Sequence, residues 1–351
     1  MNHMKKAVLI AFALAVAIAG ALVAGRADAA PARSNTTLVG TGATFPFPLI
    51  SKWIPEIGKA YGIDVTYSPT GSGAGIAAIT ARTVDFGASD APMSPDQTTK
   101  CGGCVQIPWA LSAISVPYNL PGIGNCVVRF TPATLAGIFL GEISNWNDPK
   151  LKADNPKCNF PDLKITPVSR SDGSGSTYAF TKYLTTVSPT WASKVGNSTL
   201  VSWPAGVSAR GSSGVAGVVT KTAGALTYVD VAYAKTNKLR FAWIKNKAGK
   251  FASPGLRGIQ AAVSQLPKKI TSIDDLKISD PPAAAGPLAY PIGTFTYVIL
   301  PSKTGKAAEL RKFVYWAVSQ GQKFGPPLLF QPLPQPVQAF SYRELKKVQA
   351  G

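Results

Sequence analysis

Residues 48–67 read PLISKWIPEIGKAYGIDVTY, a stretch in which a helical pattern is followed at once by a strand pattern. In the first part, apolar side chains recur at the spacing of one helix face, at Leu49, Ile50, Trp53, Ile54 and Ile57. In the second part, Ile63 to Tyr67 alternates apolar and polar residues, which is typical of a half-buried strand. The stretch therefore predicts a helix over 48–60 and a strand over 63–67.

The same alternation of short strands and amphipathic segments continues along the chain. Strand patterns occur at Ile165–Ser169 and Ala225–Val229, and a second helical pattern spans Lys306–Ser319. Strands that alternate with helices over most of a chain predict an α/β fold, in which helices cover the faces of the sheets. The proline-rich segment Pro326–Gln335 is predicted to be irregular.

Composition sets the size of the core and excludes wholesale disorder. Of the 351 residues, 46% are hydrophobic and only 15% are charged, so the chain can bury the core of one large or two medium domains. The 33 glycines and 29 prolines favour many tight turns over long helices.

The first 29 residues have the pattern of an export signal. Lys5-Lys6 precedes an apolar run from Ala7 to Gly25, and Ala27-Asp28-Ala29 has the small-x-small form that signal peptidase accepts. We expect cleavage after Ala29 or Ala30, although the run is also long enough for an uncleaved membrane anchor. The protein is therefore expected to be exported, to the periplasm or to the outer face of the cytoplasmic membrane.

Cleavage of the signal would remove the only histidine, and with it several classes of catalytic site. His3 is the only histidine, so the mature protein has none. A Ser–His–Asp hydrolase, a Cys–His nucleophile and a histidine zinc site are therefore excluded. The sequence also shows no DxD-like carboxylate cluster and no SxxK motif. We expect a protein that is not an enzyme and that uses neither a cofactor nor a metal.

The chain is strongly basic, with 36 Lys and Arg residues against 17 Asp and Glu residues. Removal of the signal lowers the net charge only from +19 to about +17. Basic residues concentrate in the stretch 235–257, at Lys235, Lys238, Arg240, Lys245, Lys247, Lys250 and Arg257. A solvated surface is the favoured interpretation, a polyanion-binding surface is the alternative, and nucleic acid is not expected because no reader motif accompanies the charge.

The four cysteines, Cys101, Cys104, Cys126 and Cys158, are an even number in an exported chain, which favours disulfides. A zinc site or a redox-active CxxC pair is the alternative, but the spacings to the last two cysteines are too wide for a zinc ribbon. Three connectivities are possible, and the pairing Cys101–Cys104 with Cys126–Cys158 is preferred.

Four segments combine glycines with polar side chains in the manner of anion-binding loops. They are Gly40–Pro46, Gly71–Gly75, Asp85–Asp90 and Arg170–Thr177, and each is predicted to lie just ahead of a helix. A helix N-terminus leaves backbone N–H groups unpaired and carries partial positive charge, so an oxyanion can bind there. For any single segment plain helix capping is the simpler interpretation, and none contains a Walker or full GxGxxG motif.

Arg170 distinguishes the last of these segments. Its guanidinium offers a planar fork to two oxygens of a tetrahedral anion, next to the densest run of glycine and serine. Asp172 is close enough in sequence to pair with Arg170 and to orient it. An ordinary surface ion pair is the alternative.

Several long motifs resemble those of the phosphate-binding proteins of the high-affinity phosphate ABC importer. They are GATFP at 42–46, VDFGASDAP at 84–92, IFLGEISNWNDP at 138–149 and RSDGSGS at 170–176, in the order that the family shows. The resemblance runs from about Leu38 to the proline-rich tail. It implies a type II periplasmic binding protein fold, which has two α/β lobes, a ligand cleft between them and two hinge crossings.

The resemblance also implies where the parts of this fold lie. Lobe 1 is expected to comprise residues 37–116 with 290–351, and lobe 2 residues 117–289. The hinges are expected near Ser115–Tyr118 and Tyr290–Phe295, which run between the two blocks.

The phosphate contacts implied by motif position are of two kinds. Hydroxyl and backbone N–H donors are expected from three helix starts, at Thr44, Phe45, Ser72, Ser174, Gly175 and Ser176. Arg170 would bind two oxygens, with Asp172 as its orienting partner, and Asp90 would accept the phosphate's own proton.

The chain departs from the family pattern at two positions. Ser176 stands where the family usually has Thr, which keeps the hydroxyl. Ser212-Ser213 stands where the family usually has Asn followed by an acid, which leaves the role of that loop open.

The implied function is capture of inorganic phosphate outside the cytoplasm and its delivery to a membrane permease with its ATPase. A secreted phosphoryl-transfer enzyme or a phosphate-sequestering surface protein of the same fold is the alternative. Asp90 would explain selectivity, because a buried carboxylate accepts a hydrogen bond from a protonated anion and repels sulfate, which has no proton to share.

Overall fold

Two β-sheets and the helices packed on them form most of the part of the protein that the structure describes. The computed structural model describes residues 36–351, which cluster into a single compact unit. The predicted signal peptide, residues 1–29, lies outside the described residues. Within residues 36–351, each helix falls short of the length and apolarity needed to span a membrane.

Strands and helices alternate along the chain, as an α/β fold requires. The strands are β1 (Thr36–Gly42), β2 (Ile63–Ser68), β3 (Phe86–Ser89), β4 (Cys104–Ser115), β5 (Pro117–Tyr118), β6 (Arg129–Phe130), β7 (Thr166–Arg170), β8 (Val207–Ala209), β9 (Ala225–Thr227), β10 (Val229–Asp230), β11 (Arg240–Phe241), β12 (Trp243–Lys245), β13 (Phe251–Ala252) and β14 (Gly293–Pro301). The helices are α1 (Phe47–Tyr61), α2 (Ser72–Thr80), α3 (Pro95–Cys101), α4 (Pro132–Phe139), α5 (Pro149–Asp154), α6 (Gly175–Val187), α7 (Pro189–Lys194), α8 (Gly211–Lys221), α9 (Val231–Thr236), α10 (Leu256–Val263), α11 (Ala307–Val318) and α12 (Gln335–Leu345).

The larger sheet has the strand order β10-β4-β14-β3-β1-β2. β1 is parallel to β2 and β3, whereas β14 runs antiparallel to β3 and β4. Four buried aromatic side chains pack between this sheet, α1 and α11, with ring centroids 5.3–6.2 Å apart: Trp53, Phe86, Trp109 and Phe313. Helix α1 is therefore attached to the sheet by the apolar face that the sequence predicts.

The helix and strand predicted over 48–67 are confirmed as α1 and β2. Between them, Gly62 has φ of 62° and donates its N–H to the carbonyl of Gly58. This left-handed conformation ends the helix and favours glycine, because other residues pay a steric penalty there. The second predicted helix, 306–319, is confirmed as α11.

The second sheet has the order β11-β5-β9-β7-β8, with β7 parallel to both β8 and β9. The strand predicted at 165–169 is confirmed as β7. Beside this sheet the ring of Phe180 stacks on Tyr228 at 4.6 Å and meets Phe139 edge-on at 4.8 Å. A small third sheet has the order β13-β12-β6.

The strand predicted over 225–229 is divided between the two large sheets. Residues 225–227 form β9 of the second sheet, whereas β10 pairs with Ile114 and Ser115 at the end of β4 in the larger sheet. A short apolar run has the same appearance whichever sheet it joins, so the sequence could not show the break. The predicted lobe boundaries, 37–116 with 290–351 and 117–289, and the two hinges stay predictions.

Both preferred disulfides are present. Cys101 is bonded to Cys104 and Cys126 to Cys158, with Cα atoms 5.7 and 5.6 Å apart. The first bridge closes the turn between α3 and β4, and the second ties the segment before β6 to the segment after α5. The pairing predicted from the sequence is therefore confirmed.

The basic stretch 235–257 covers β11, β12 and β13, and its charged side chains lie at or near the surface. Lys247 pairs with Asp280 at 2.7 Å, and Arg240 donates to the carbonyl of Gly124 at 2.6 Å. The proline-rich segment 326–335 contains one 3₁₀ turn, Pro326–Leu328, and is otherwise irregular until α12 begins, as predicted.

Candidate ligand-binding site

Four segments from both large sheets converge on one buried point. The hydroxyl of Ser72 accepts the backbone N–H of Asp90 at 3.2 Å and that of Gly175 at 3.0 Å. Arg170 donates from Nη1 to Oγ1 of Thr44 at 3.2 Å. The starts of α1, α2 and α6, the end of β3 and the end of β7 therefore meet at one place.

One of these four segments is not a helix start. Residues 85–90 contain β3, whose four residues are all buried, and the next helix begins only at Pro95 with Ser94 as its cap. The prediction that this segment lies just ahead of a helix is therefore wrong, because the run is a central strand of the sheet. Asp90 instead lies at the carboxyl end of that strand, beside the start of α2.

The two sides of the site approach so closely that glycine is required at the contact. A Cβ atom on Gly175 would lie 2.6 Å from the Cβ and the backbone nitrogen of Asp90. Nearby, the N–H of Gly73 donates to the carbonyl of Gly173 at 2.9 Å, so the start of α2 is bonded to the loop before α6. The two sides are thus in direct contact around the site.

Arg170 lies at the end of β7 and is 2% exposed. Its Nε donates to Oδ1 of Asp172 at 2.7 Å, its Nη2 also contacts Asp172, and its Nη1 faces Thr44 and Ser212 at 3.2 and 3.4 Å. Burial by itself raises the pKa of Asp172, but the hydrogen bond and charge of Arg170 and the N–H of Gly211 outweigh burial and lower it. The carboxylate is therefore ionised and holds the guanidinium with one edge toward Thr44.

Asp90 is 2% exposed, and its Oδ1 makes no hydrogen bond of normal geometry within residues 36–351. Burial raises the pKa of Asp90 to about 7, although the hydroxyls of Thr296, Ser176 and Ser72 and the charge of Arg170 act in the opposite direction. A buried carboxyl oxygen without a partner is costly to keep, since each such group loses its water. Asp90 can therefore accept a hydrogen bond that this chain does not itself provide.

The remaining predicted donors also lie at this point, and their side chains differ in the contacts that they make. Ser174 caps α6, with its Oγ accepting the N–H of Thr177 at 3.2 Å, so the capping interpretation holds for that hydroxyl. Ser176 is 1% exposed, and its hydroxyl makes no hydrogen bond of normal geometry within residues 36–351, although it lies close enough to Asp90 to lower the pKa of that carboxyl. Phe45 is fully buried, and its ring packs edge-on against Phe330 at 5.8 Å, which fixes the start of α1.

Ser212 belongs to the site although its role was left open by the sequence. Its hydroxyl lies 2.6 Å from Oγ1 of Thr44 and 3.4 Å from Nη1 of Arg170, and the residue is fully buried at the start of α8. The sequence did contain a signal, because Gly211-Ser-Ser-Gly214 is also a run of small residues at the start of a helix. Its neighbour Ser213 is exposed.

Two further contributors carried no signal in the sequence. Thr296 lies within β14, and its buried hydroxyl lowers the pKa of Asp90, although it makes no hydrogen bond of normal geometry within residues 36–351. Tyr233 lies in α9 and donates its hydroxyl to the carbonyl of Thr44 at 2.8 Å. Both belong to ordinary buried runs, so only the fold shows that they face the site.

Two cavities adjoin the site, one at Asp90 and the other at Thr44. One of about 480 Å³ lies beyond Asp90 and is bordered by α6 and β14, with Lys182 and Tyr297 in its walls. The other, of about 330 Å³, lies beyond Thr44, with Arg210 and Tyr233 in its walls. Within the described part of the chain, no group of three or more His, Cys, Asp or Glu side chains is arranged to hold a metal ion.

The geometry describes a site for a small oxyanion. It combines a buried guanidinium, hydroxyl groups, backbone N–H groups at helix starts and one carboxyl group with a free oxygen. Anions bind at such helix starts because N–H groups and the helix dipole converge there.

Comparisons with known proteins agree with the fold. The sequence profile of the PBP superfamily domain matches residues 27–320. A phosphate-binding protein PstS of Xylella fastidiosa strain Temecula1 is 39% identical over 303 residues, which are 86% of this chain and 82% of that protein.

Two solved structures share the fold at lower identity. The high affinity periplasmic phosphate-binding protein PfluDING, bound with phosphate, has a TM-score of 0.69 at 22% identity, covering 87% of this chain and 92% of that one. A putative phosphate ABC transporter substrate-binding protein from Clostridium perfringens, with bound phosphate, has a TM-score of 0.62 at 14% identity, covering 85% of this chain and 100% of that one. The fold is therefore the α/β periplasmic binding protein fold with two lobes, and the chain belongs to the PBP superfamily and, within it, to the family of phosphate-binding proteins PstS.

Proposed function

We propose that this protein binds inorganic phosphate in the site between its two large sheets and delivers it to an ABC permease for import. The observation that carries the proposal is the presence of Arg170 and Asp90 at one buried point. The guanidinium attracts an anion, and the free oxygen of the carboxyl group accepts a hydrogen bond only from an anion that still carries a proton.

The proposed phosphate contacts follow the positions of the donors in the site. They are Thr44, Phe45, Ser72, Asp90, Arg170, Ser174, Gly175, Ser176 and, added from the structure, Ser212. Asp172 acts through Arg170, which it holds in place. Because the donors are buried, each hydrogen bond to the anion is stronger than the same bond in water.

Asp90 gives the site its selectivity. Phosphate near neutral pH carries at least one proton, whereas sulfate carries none. Above pH 7, where Asp90 is ionised, bound sulfate would place a second acceptor at hydrogen-bond distance from its carboxylate, at a cost of about 1–3 kcal/mol for an unpaired buried group and more for a charged one. The site therefore rejects sulfate by repulsion rather than by size, because both ions are tetrahedral.

Delivery follows from closure of two lobes on one ion. We propose that residues 37–116 with 290–351 move against residues 117–289 about hinges at 115–118 and 290–295. The contact between Gly73 and Gly173 then belongs to the closed form, which presents both lobes together to a membrane permease and its ATPase. The protein works outside the cytoplasm, where the signal at residues 1–29 directs it.

The site lacks the parts of a phosphoryl-transfer enzyme, which is the alternative. Phosphoryl transfer needs a nucleophile activated by a base and usually metal ions. The mature sequence has no histidine, and within residues 36–351 no group of three or more His, Cys, Asp or Glu side chains is arranged to hold a metal ion. We therefore propose a binding protein without catalytic activity or cofactor.

Calorimetric titration of the ligand-free protein tests the proposal. Phosphate should bind with one ion per chain, sulfate should bind far more weakly, and arsenate, which is also protonated, should compete with phosphate. No turnover of a chromogenic phosphate ester is expected. Equal binding of sulfate and phosphate, or hydrolysis of the ester, would contradict the proposal.

Two variants assign the roles within the site. Arg170→Lys keeps the charge but loses the planar fork, and we expect phosphate affinity to fall about 100-fold, as for loss of a charged hydrogen bond. Asp90→Asn should instead narrow the difference in affinity between phosphate and sulfate, because the amide N–H group can donate a hydrogen bond to sulfate. Unchanged selectivity in Asp90→Asn would remove Asp90 from this role.

A further inference from the structure

A groove formed by helices that pack on the larger sheet takes no part in the phosphate site. It has a volume of about 380 Å³ and lies between α1, α11 and α12. Its walls are three tyrosines and three basic residues, Tyr61, Tyr315, Tyr342, Arg311, Lys312 and Lys346, with Leu345 between them. We call this set of residues the tyrosine groove.

Two of the three tyrosines of the groove are exposed to solvent. Tyr61 is 42% exposed and Tyr315 is 50% exposed, which places both among the exposed large hydrophobic residues of the described chain. The rings of Tyr315 and Tyr342 lie 5.0 Å apart and form one aromatic surface. A ring with a polar tip suits the boundary between a bilayer and water, where tyrosine and tryptophan are enriched.

The charges of the groove are of one sign. Arg311, Lys312 and Lys346 are exposed, and none of them forms an ion pair with another residue of the range 36–351. Among the residues that the structure describes, no acidic side chain lines the groove. Three unpaired cations around an apolar floor are complementary to an anionic, partly apolar surface.

The position of the groove relates it to the export signal. Tyr61 ends α1, whose first residue, Phe47, follows the phosphate site, so the groove and the site lie at opposite ends of a 15-residue helix of about 22 Å. The described chain begins at Thr36, which pairs with Ile63, two residues beyond Tyr61. The apolar run of the signal ends at Gly25, and the residues between it and Thr36 can span at most roughly 35 Å.

We propose that the tyrosine groove docks the protein on a membrane surface that contains anionic lipid headgroups. The cations contact the headgroups, and the tyrosine rings enter the interface beside them. Because the groove lies at the end of the lobe opposite the phosphate site, docking leaves the cleft open to solvent. The protein is thereby held at the membrane in which its permease resides.

Vesicle binding by two charge-matched variants tests this proposal. The protein is used from residue 30 onward, which contains the whole compact unit 36–351, and vesicles are neutral phosphatidylcholine with or without a third of phosphatidylglycerol. We expect sedimentation with the anionic vesicles only. In Arg311→Ser/Lys312→Ser/Lys346→Ser the partition coefficient should fall about 100-fold, at roughly fivefold per cation near an anionic surface.

The control variant removes three cations elsewhere, as Lys157→Ser/Lys221→Ser/Lys250→Ser, and should change the partition coefficient less than about fivefold. Tyr315→Ser should lower binding with the charge unchanged, and phosphate titration of each variant verifies that it is folded. An equal loss in the control variant would mean that net charge alone holds the protein to the vesicles, and the proposal would be wrong. Absence of vesicle binding, or binding to solubilised permease alone through the same cations, would also overturn it.

Discussion

The strongest quantitative prediction concerns the stability of the ligand-free protein and the burial of Asp90. Burial raises the pKa of this carboxyl from 3.8 to about 7 in the folded protein, while the unfolded chain keeps the ordinary value. Between these two values the folded state binds the extra proton, so the free energy of unfolding falls as the pH rises from 4 to 7. A shift of that size corresponds to about 4 kcal/mol, at 1.36 kcal/mol per pKa unit.

The perturbation that isolates this effect is Asp90→Asn, because the amide cannot titrate. Urea unfolding of both proteins, free of phosphate and followed by tryptophan fluorescence, gives the free energy of unfolding at pH 4 and pH 8. From pH 4 to pH 8, the free energy of unfolding should fall by about 4 kcal/mol more in the wild type than in the variant. Only the change with pH is compared, because the amide also alters the packing at every pH.

Two other acids define the controls for this measurement. Asp230 is also fully buried with a raised pKa, chiefly from burial and in part from the charge of Asp90, so the comparison is repeated in the Asp230→Asn background, where this coupled titration is absent. Asp96, whose side chain is 71% exposed, gives the matched variant Asp96→Asn, which should follow the wild type within about 0.5 kcal/mol at each pH. If the free energy of unfolding changed equally with pH in the wild type and in Asp90→Asn, the conclusion that burial raises the pKa of Asp90 would be refuted.

Three further predictions follow from contacts in the site and the core. Gly175→Ala places a Cβ atom 2.6 Å from the backbone of Asp90, so it should hold the two sides apart and lower phosphate affinity at least tenfold by calorimetry, with little change in thermal stability. Ser212→Ala removes a hydroxyl that contacts Thr44 and Arg170 and should lower phosphate affinity about tenfold, whereas the exposed neighbour Ser213→Ala should leave it unchanged; equal effects would exclude Ser212 from the site. Replacing the Cys126–Cys158 bridge, which closes a separation of 32 residues, with two serines should lower the free energy of unfolding by about 4 kcal/mol in denaturant titration, and a loss below about 1 kcal/mol would contradict the chain-entropy explanation.

Local patterns carried much of the fold. The helical face from Leu49 to Ile57 and the alternating strand after it were predicted because burial of one face imposes a period on the residues themselves. The disulfide pairing was predicted from export and spacing, and Arg170 and Asp90 were predicted from family motifs. The helical face, the strand and the family motifs each lie within a few consecutive residues, so they can be recognised along the chain. The pairing of Cys126 with Cys158, 32 residues apart, was instead a preference among three connectivities.

Prediction from the sequence failed where the result depends on which distant segments lie side by side. It placed the segment 85–90 ahead of a helix, whereas the run is a central strand, since glycine and serine suit a tightly packed strand as well as a loop. It left Ser212 open, and it did not show that Thr296 and Tyr233 face the site. Each of these depends on which element lies beside which, and that is decided by packing.

The sequence by itself determined the α/β class and the chemical types that surround the proposed phosphate, and it predicted an export signal and favoured one disulfide pairing among three. Only the tertiary structure decided that Ser72 bonds both Asp90 and Gly175, and that the Asp90 carboxyl lies in a buried setting with a pKa near 7. The physical reason is that desolvation is a property of the assembled surroundings. A side chain loses its water only when residues far away in the sequence close around it.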